Sequence, residues 1–303
     1  MEEAREEKAL DNELESPTVD KALANVAKRI HQLAEELGTY RNSKVFYFLL
    51  MPMGLERDLV ESVYELLEKD YKGVGRLDVL VTSSGGDIHC AYQLAKLFRR
   101  YGSERLSFIV PRYAKSAATV LILGGDEIVF GPISEMGPLD PQIPVATGAA
   151  GDRVQRFSPL AIRPALDLIA EEHDKGHHIL VEKLSASLPN ALILGQHLKT
   201  LETAKHYVKR LLTTRMLKDK PDADIVAERV GDQLTKGYPH HGFCIDYDEA
   251  ASLGLNVVNL PDEQWKVVWA LWRQVQEFRK RSSQIRQGSS GSDADVLSVL
   301  PSA

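Results

Sequence analysis

The chain has 303 residues, 44% hydrophobic and 26% charged, the make-up of an ordinary globular protein able to bury its own core. A net charge of -6 gives no electrostatic reason to expect nucleic acid or an anionic membrane as partner, and no apolar run reaches the length of a membrane span. The two cysteines, Cys90 and Cys244, stand in no metal-ligand or redox spacing, which argues against a disulfide framework and makes a reducing, cytoplasmic setting the expectation.

Residues 1–17 are acidic, lack the apolar run of a signal peptide and read as a flexible lead-in. Helical spacing begins at Pro17-Thr18, with Ala22, Val26, Ile30 and Leu33 on one face, and Gly38 is expected to end it. Residues 45–51 read as a buried strand, 55–67 as a helix, and 77–82 as a second strand running into Ser83-Ser84-Gly85-Gly86-Asp87. A helix follows, with Ile88, Ala91, Leu94, Ala95 and Phe98 in helical register. Then come a strand over 106–111, a short apolar helix over 116–123, a Gly124-Gly125 break and a strand over 127–130. This alternation predicts an α/β core with a mainly parallel sheet. Residues 137–158, rich in Pro and Gly, read as a long irregular loop of the kind that forms lids or binds substrate. The remainder reads as helical over 160–188, 191–218 and 222–234, strand-like over 242–245, and helical again over 247–253. One domain is expected over 18–260, a C-terminal helix over 261–283 and a Ser- and Gly-rich disordered tail over 284–303.

Two segments carry candidate chemistry. The first is Ser83-Ser84-Gly85-Gly86-Asp87, between a strand and a helix. Paired glycines let the backbone turn sharply and bring N–H groups to a ligand, at a helix start where a developing oxyanion is favoured. Taken alone it is as well read as an ordinary strand-to-helix turn. The second is Tyr113-Ala114-Lys115-Ser116-Ala117-Ala118-Thr119, which puts a serine at a helix mouth between small neighbours. Alone, Ser116 reads as an N-cap.

In this order and spacing the pair resembles the ClpP/crotonase-like serine peptidases. The pattern is S-x-G-G-D, a helix, a strand, A-x-S-A-A, an apolar helix and G-G-D-E-I-V. Gly137-Pro138-Leu139-Asp140-Pro141-Gln142 is similar to the serine dehydrogenase proteinase branch of that class. So are the run Leu234-Thr235-Lys236-Gly237 through His241, Asp248-Glu249-Ala250 and Leu253-Gly254-Leu255. The resemblance covers about residues 45–257. It implies a ClpP/crotonase-like core with a helical C-terminal portion, a homo-oligomer, a peptide or protein substrate, and no cofactor or metal. Ser116 would be the nucleophile, and Gly85, Gly86 and Ala117 the oxyanion hole.

A serine needs a base. The ClpP pattern places its histidine just after the strand that follows the nucleophile helix, where this chain has Leu139-Asp140. One repair takes His241 as base and Asp140 as the group that orients it, since a triad is defined by geometry and not by chain order. His241 also falls where the serine dehydrogenase proteinase pattern carries a histidine. The other repair is a lysine, as in signal-peptide peptidases of the same superfamily, with Lys175 and Lys183 as candidates; it requires burial to lower the ammonium pKa. A catalytically silent oligomeric scaffold or peptide-binding member stays open, as does an acyl-thioester enzyme of the same fold. The cluster His173, His177, His178 reads as a solvated helix end rather than a metal site, and the Trp265, Trp269, Trp272 series as a core or subunit-contact face.

Overall fold

The computed structural model describes residues 17–47, 54–140, 143–147, 153–157, 161–188 and 191–286. A five-stranded sheet lies at its centre: β1 (Lys44–Phe46), β2 (Arg76–Leu80), β3 (Arg105–Val110), β5 (Glu127–Phe130) and β9 (Val257–Asn259), in that spatial order. Every neighbouring pair is parallel. The strands are short. The edge strand β9 has Val258 half-buried and Asn259 exposed, while β2, β3 and β5 are almost wholly buried and apolar apart from Asp78, Ser107 and the flanking charges. That is the pattern of a parallel sheet covered on both faces.

Helices connect the strands. α1 (Pro17–Arg41) precedes β1, α2 (Arg57–Asp70) leads to β2, α3 (Ile88–Tyr101) to β3, and α4 (Ala117–Ile122) to β5. In α3 the residues Cys90, Ala91, Leu94, Ala95, Phe98 and Tyr101 form one buried stripe, and Phe98 stacks edge-on between Phe46 and Phe108. The C-terminal part is helical, as expected. It comprises α5 (Ile162–Asp174), α6 (His178–Ser187), α7 (Ala191–Thr214), α8 (Ala223–Asp232), a π-helical turn (Gln233–Gly237), α9 (Tyr247–Ser252) and α10 (Asp262–Arg286). α10 packs along α1, α7 packs against α8, and α7 also touches α4.

Four expectations are corrected. Gly38 does not end α1, which runs on to Arg41; a Cβ at Gly38 would stand 2.7 Å from the Ser43 carbonyl, so the glycine admits the returning chain. The helix stops instead at Asn42, in the left-handed region at φ 49°. The segment read as irregular loop holds β7 (Ile143–Thr147) and β8 (Arg153–Phe157), paired antiparallel. The helix read over 160–188 is broken between α5 and α6 by Gly176 at φ 80°. Lastly, the strand-like piece at 242–245 is a single bridge, Ile245 to Met136. The lead-in and the tail lie outside the described residues, apart from Pro17 and the last turn of α10.

Candidate active site

Beyond the carboxyl ends of β2 and β3 the backbone is laced into a small second ladder. Ser83 bridges Ala114, β4 (Tyr113–Ala114) pairs with β6 (Glu135–Met136), and Met136 bridges Ile245. Ser83 N–H donates to Tyr113 O at 3.1 Å and Lys115 N–H returns to Ser83 O at 2.9 Å. The two motif segments are thereby held side by side, at the strand ends where open α/β sheets present their ligand sites.

The glycine turn is braced from outside by Leu55. Leu55 N–H donates to Gly85 O (3.0 Å) and Asp87 N–H to Leu55 O (2.8 Å). Both glycines take conformations that a side chain resists, Gly85 at φ 110° and Gly86 at φ 148°. They also have no room for one. A Cβ on Gly86 would stand 2.4 Å from Leu55 N, and one on Gly85 would stand 2.8 Å from Ser116 Cβ and 3.1 Å from Ala117 N. Among the described residues the Gly86 and Ala117 N–H groups donate to no backbone or side-chain acceptor. Ala117 is the first residue of α4, where an N–H has no intrahelical partner.

Ser116 precedes α4 at φ 52°, ψ -124°, one of two non-glycine residues with positive φ among those described. Its hydroxyl makes no capping bond, so the N-cap reading of the sequence does not hold for it. Asp87, by contrast, caps α3 in the ordinary way, accepting from His89 N–H at 2.7 Å and Cys90 N–H at 3.0 Å. Strain of order 1–3 kcal/mol at an uncapped serine persists only where the surroundings impose it, and such residues cluster at functional sites. Thr119 helps to impose it. Its Oγ1 lies 2.9 Å from Ala114 O and 2.8 Å from Gly137 O, joining the start of α4 to the chain on both sides.

Ser116 opens on a cavity of about 320 Å³ lined by Gly86, Ile88, Ala117, Leu139, Thr200 and Ala204, together with Asp87 and His89. Three larger cavities, bordered by α1, by Trp265 and by α8, are lined among the described residues by neither Ser116 nor the glycine turn. One wall comes from α7, through Thr200 and Ala204. Gly85, Gly86, Ser116 and Ala117 are thus gathered in one place.

Asp140 is 2% exposed and directly follows Leu139, whose N–H donates to Leu234 O in the π-helical turn at 2.7 Å. His241 does not line the cavity; its Nδ1 is buried without a hydrogen-bond partner among the described residues. Lys175 and Lys183 are exposed and do not line it either. Lys175 Nζ binds Glu172 at 2.7 Å, a bond that raises its pKa, opposite to what a general base needs. Lys115, next to the serine, points elsewhere: its Nζ reaches Phe243 O (3.1 Å), Met136 O (3.3 Å) and Glu135 Oε2 (3.1 Å), fastening the small ladder. The cysteines offer no competing nucleophile. Cys90 is buried; Cys244 is exposed, but partial desolvation of its thiol, followed by the hydrogen bond to the Glu135 carboxylate, pushes it up to about 11. Among the described residues there is no group of His, Cys, Asp and Glu able to hold a metal ion, and no helix long and apolar enough to cross a membrane.

Sequence reasoning missed His89. It follows Gly86 by three residues on the first turn of α3, and its Nδ1 lies 2.9 Å from Tyr207 Oη of α7. The helix start was legible, but nothing in the sequence joins residues 118 positions apart.

Comparison with known proteins agrees with the resemblance. The chain is 25% identical over 193 residues to the uncharacterized protein MJ0137 of Methanocaldococcus jannaschii, and 23% identical over 193 residues to MJ1495 of the same organism. Each match covers 63% of this chain, and the chain spans 57% and 56% of those relatives. Among solved structures, a mutant of the 1510-N membrane-bound stomatin-specific protease is similar at 12% identity and a TM-score of 0.42, over 78% of this chain and 83% of that one. ClpP1 from Listeria monocytogenes is similar at 10% identity and 0.38, over 73% and 94%. Residues 74–152, which contain the glycine turn, the serine and the Gly-Pro-Leu-Asp-Pro-Gln motif, match the family described as ClpP-like SDH-type serine proteinase.

Proposed function

We propose that the protein is a serine peptidase in which Ser116 forms an acyl-enzyme. The observation that carries this reading is the uncapped, positive-φ serine packed against a glycine turn, with the Gly86 and Ala117 N–H groups unengaged beside it. Ser116 Oγ attacks the peptide carbonyl, whose oxygen takes up the negative charge between the Gly86 and Ala117 N–H groups while Gly85 permits the close approach. An imidazole accepts the hydroxyl proton and returns it to the leaving amine, and water then hydrolyses the ester. His241 oriented by Asp140 is the pair implied by the family resemblance. The burial of Asp140 next to cavity-lining Leu139 supports it, whereas the position of His241 outside the cavity lining does not. The protein is proposed to act on peptides or proteins as a homo-oligomer in the cytoplasm, a setting that suits its unpaired cysteines.

A fluorophosphonate probe tests the central claim. Full-length protein is expected to take up one label, at Ser116, and Ser116→Ala to take up none. Absence of labelling between about pH 6 and 9, the range spanning imidazole and depressed-lysine titration, would leave the scaffold reading in its place.

A further inference from the structure

We propose that His89 is the general base for Ser116, positioned by Tyr207; this rests on the serine-peptidase reading above. Among the described residues His89 is the histidine that lines the cavity Ser116 opens on. The chain's other described imidazoles are committed or lie elsewhere, and the His197 side chain lies outside the described residues. His177 binds Glu172, His173 lies against Asp174 and His178, His31 borders a cavity under α1, His240 lies against Phe243, and neither His206 nor His241 is in the lining.

The His89 ring is held in place. Its Nδ1 is 2.9 Å from Tyr207 Oη and its plane meets Tyr207 edge-on at 5.8 Å, while Tyr207 stacks on Tyr92 at 4.1 Å. The backbone beneath it is pinned by the Asp87 cap. With Nδ1–H donating to Tyr207 Oη, the lone pair is on Nε2, which has no hydrogen-bond partner among the described residues. Tyr207 thus orients the ring; its hydroxyl can donate as well as accept, so, unlike the carboxylate of a Ser-His-Asp triad, it leaves both tautomers open, and the one with Nδ1–H is the one competent as base. Because the oxygen of Tyr207 is neutral, it stabilises the imidazolium less than a carboxylate would.

The step balances without a co-reactant. Ser116 Oγ bonds to the carbonyl carbon as its proton passes to His89 Nε2, and the π pair moves to the oxygen. As the tetrahedral adduct collapses, the C–N bond breaks and His89 Nε2–H protonates the amine. The groups facing His89 are Asp87 on its own helix, Tyr92 one turn on, and Tyr207 from α7. Asp87 is the one charged side chain in the cavity lining, and its Oδ1 is already occupied by two N–H donors.

The test compares fluorophosphonate labelling rates of full-length wild type, Ser116→Ala, His89→Ala, His89→Gln, Tyr207→Phe and His241→Gln from about pH 5 to 9, bracketing imidazole titration. Both His89 variants are expected to label at least about 100-fold more slowly and to lose the rise near neutral pH, with free imidazole restoring part of the rate in His89→Ala. Tyr207→Phe is expected to slow labelling a few-fold and move the midpoint of the rise, a change that a purely structural tyrosine would not produce. A loss of the size expected for the His89 variants, found instead in His241→Gln with the His89 variants unaffected, would overturn the role of His89. Wild-type rates and profiles in both His89 variants, with Ser116→Ala inert, would overturn the role of His89 and leave the peptidase reading standing. Labelling that survives in Ser116→Ala would overturn that reading, and the proposed base with it.

Discussion

The two ends of the parallel sheet are built on opposite principles. At the amino ends, charge is buried and mostly paired within the fold, Arg76 Nε and Arg105 Nε being the buried atoms left without a hydrogen-bond partner among the described residues of β2 and β3. Asp78, wholly buried on β2, is held by Arg41 and by Ser43 Oγ at 2.8 Å, and Arg105 Nη2 lies 3.3 Å from it. Arg41 also reaches Glu127 at 2.6 Å and Ser107 at 3.2 Å, which ties α1 across β2, β3 and β5. At the carboxyl ends, polar groups are left unspent: two backbone N–H donors, a serine hydroxyl and an imidazole nitrogen surround a small cavity. The satisfied end stabilises a unique arrangement, and the unsatisfied end has interactions to offer a ligand. Substitutions at one end should therefore be read out mainly as stability, at the other mainly as reactivity.

The sharpest break of this division is expected at the closed end. Asp78→Ala would leave the Arg41 guanidinium, 8% exposed, without its main partner. Removing one member of a buried pair typically costs about 3–5 kcal/mol. Denaturant unfolding should show a loss of that size, while the labelling rate of the protein that remains folded stays within about twofold, since uncoupled distant sites add independently. A parallel collapse of labelling would mean that the two ends are coupled.

The next largest effect belongs to the open end. Gly86→Ala puts a methyl group 2.4 Å from Leu55 N and 2.7 Å from Leu55 O, so the turn has to move and its N–H leaves the serine. Loss of one oxyanion donor costs about 10²–10³-fold in rate. Labelling kinetics would check it. A stability loss with an unchanged rate would remove the Gly86 N–H from the oxyanion hole.

A third test lies between the ends. Asp126, in the turn between α4 and β5, accepts from Leu106 N–H at 2.7 Å and from Arg215 at 2.8 and 2.6 Å, anchoring the chain just past α7. Burial alone would raise its pKa, but the Arg215 bonds and the Leu106 N–H outweigh that and hold it below the ordinary carboxylate range. The folded value lies below the unfolded one. The stabilisation is therefore present above the unfolded pKa and lost as pH falls through the folded one. Asp126→Asn is expected to cost about 1–3 kcal/mol at neutral pH, the range for a hydrogen bond to a charged group. Wild type and variant should converge as the pH falls through the folded pKa, where the carboxylate becomes protonated in both states. A difference that persists there would assign the cost to packing.

The same two ends show what the sequence could and could not convey. Local chemistry was legible. Strand β5 falls where the residues after Gly124-Gly125 predicted a strand, and the Gly85-Gly86 and Ser116 segments, which only the family resemblance linked, lie side by side. What failed depends on distant partners. Gly38 was read as a helix stop because its reason, room for the Ser43 carbonyl, exists only in the folded chain. The ion network escaped notice because Arg41, Asp78 and Glu127 are far apart in sequence and none belongs to a motif. His89 and Tyr207 escaped for the same reason. The strands β7 and β8 are separated by Gly148-Ala149-Ala150-Gly151-Asp152, and this glycine-rich link with Pro144 outweighed a strand reading.

The smallest expected effect is the most discriminating, because it joins stability to reactivity at one residue. Ser116 is held at φ 52°, ψ -124°, where an L side chain is strained and glycine is at ease. Its hydroxyl caps nothing, so removing it forfeits no helix-stabilising bond. Ser116→Gly is thus expected to stabilise the folded state by about 1 kcal/mol, the relief of strain offset in part by the added freedom of the unfolded chain. Labelling should disappear. Ser116→Ala keeps the Cβ and the strain, so it should lose labelling without the gain. Thermal unfolding of the two variants beside wild type measures the difference directly. If glycine proved no more stable than alanine, the backbone at residue 116 would be relaxed. The serine would then have been shaped by packing alone, and not held against its preference so that its oxygen faces the Gly86 and Ala117 amides.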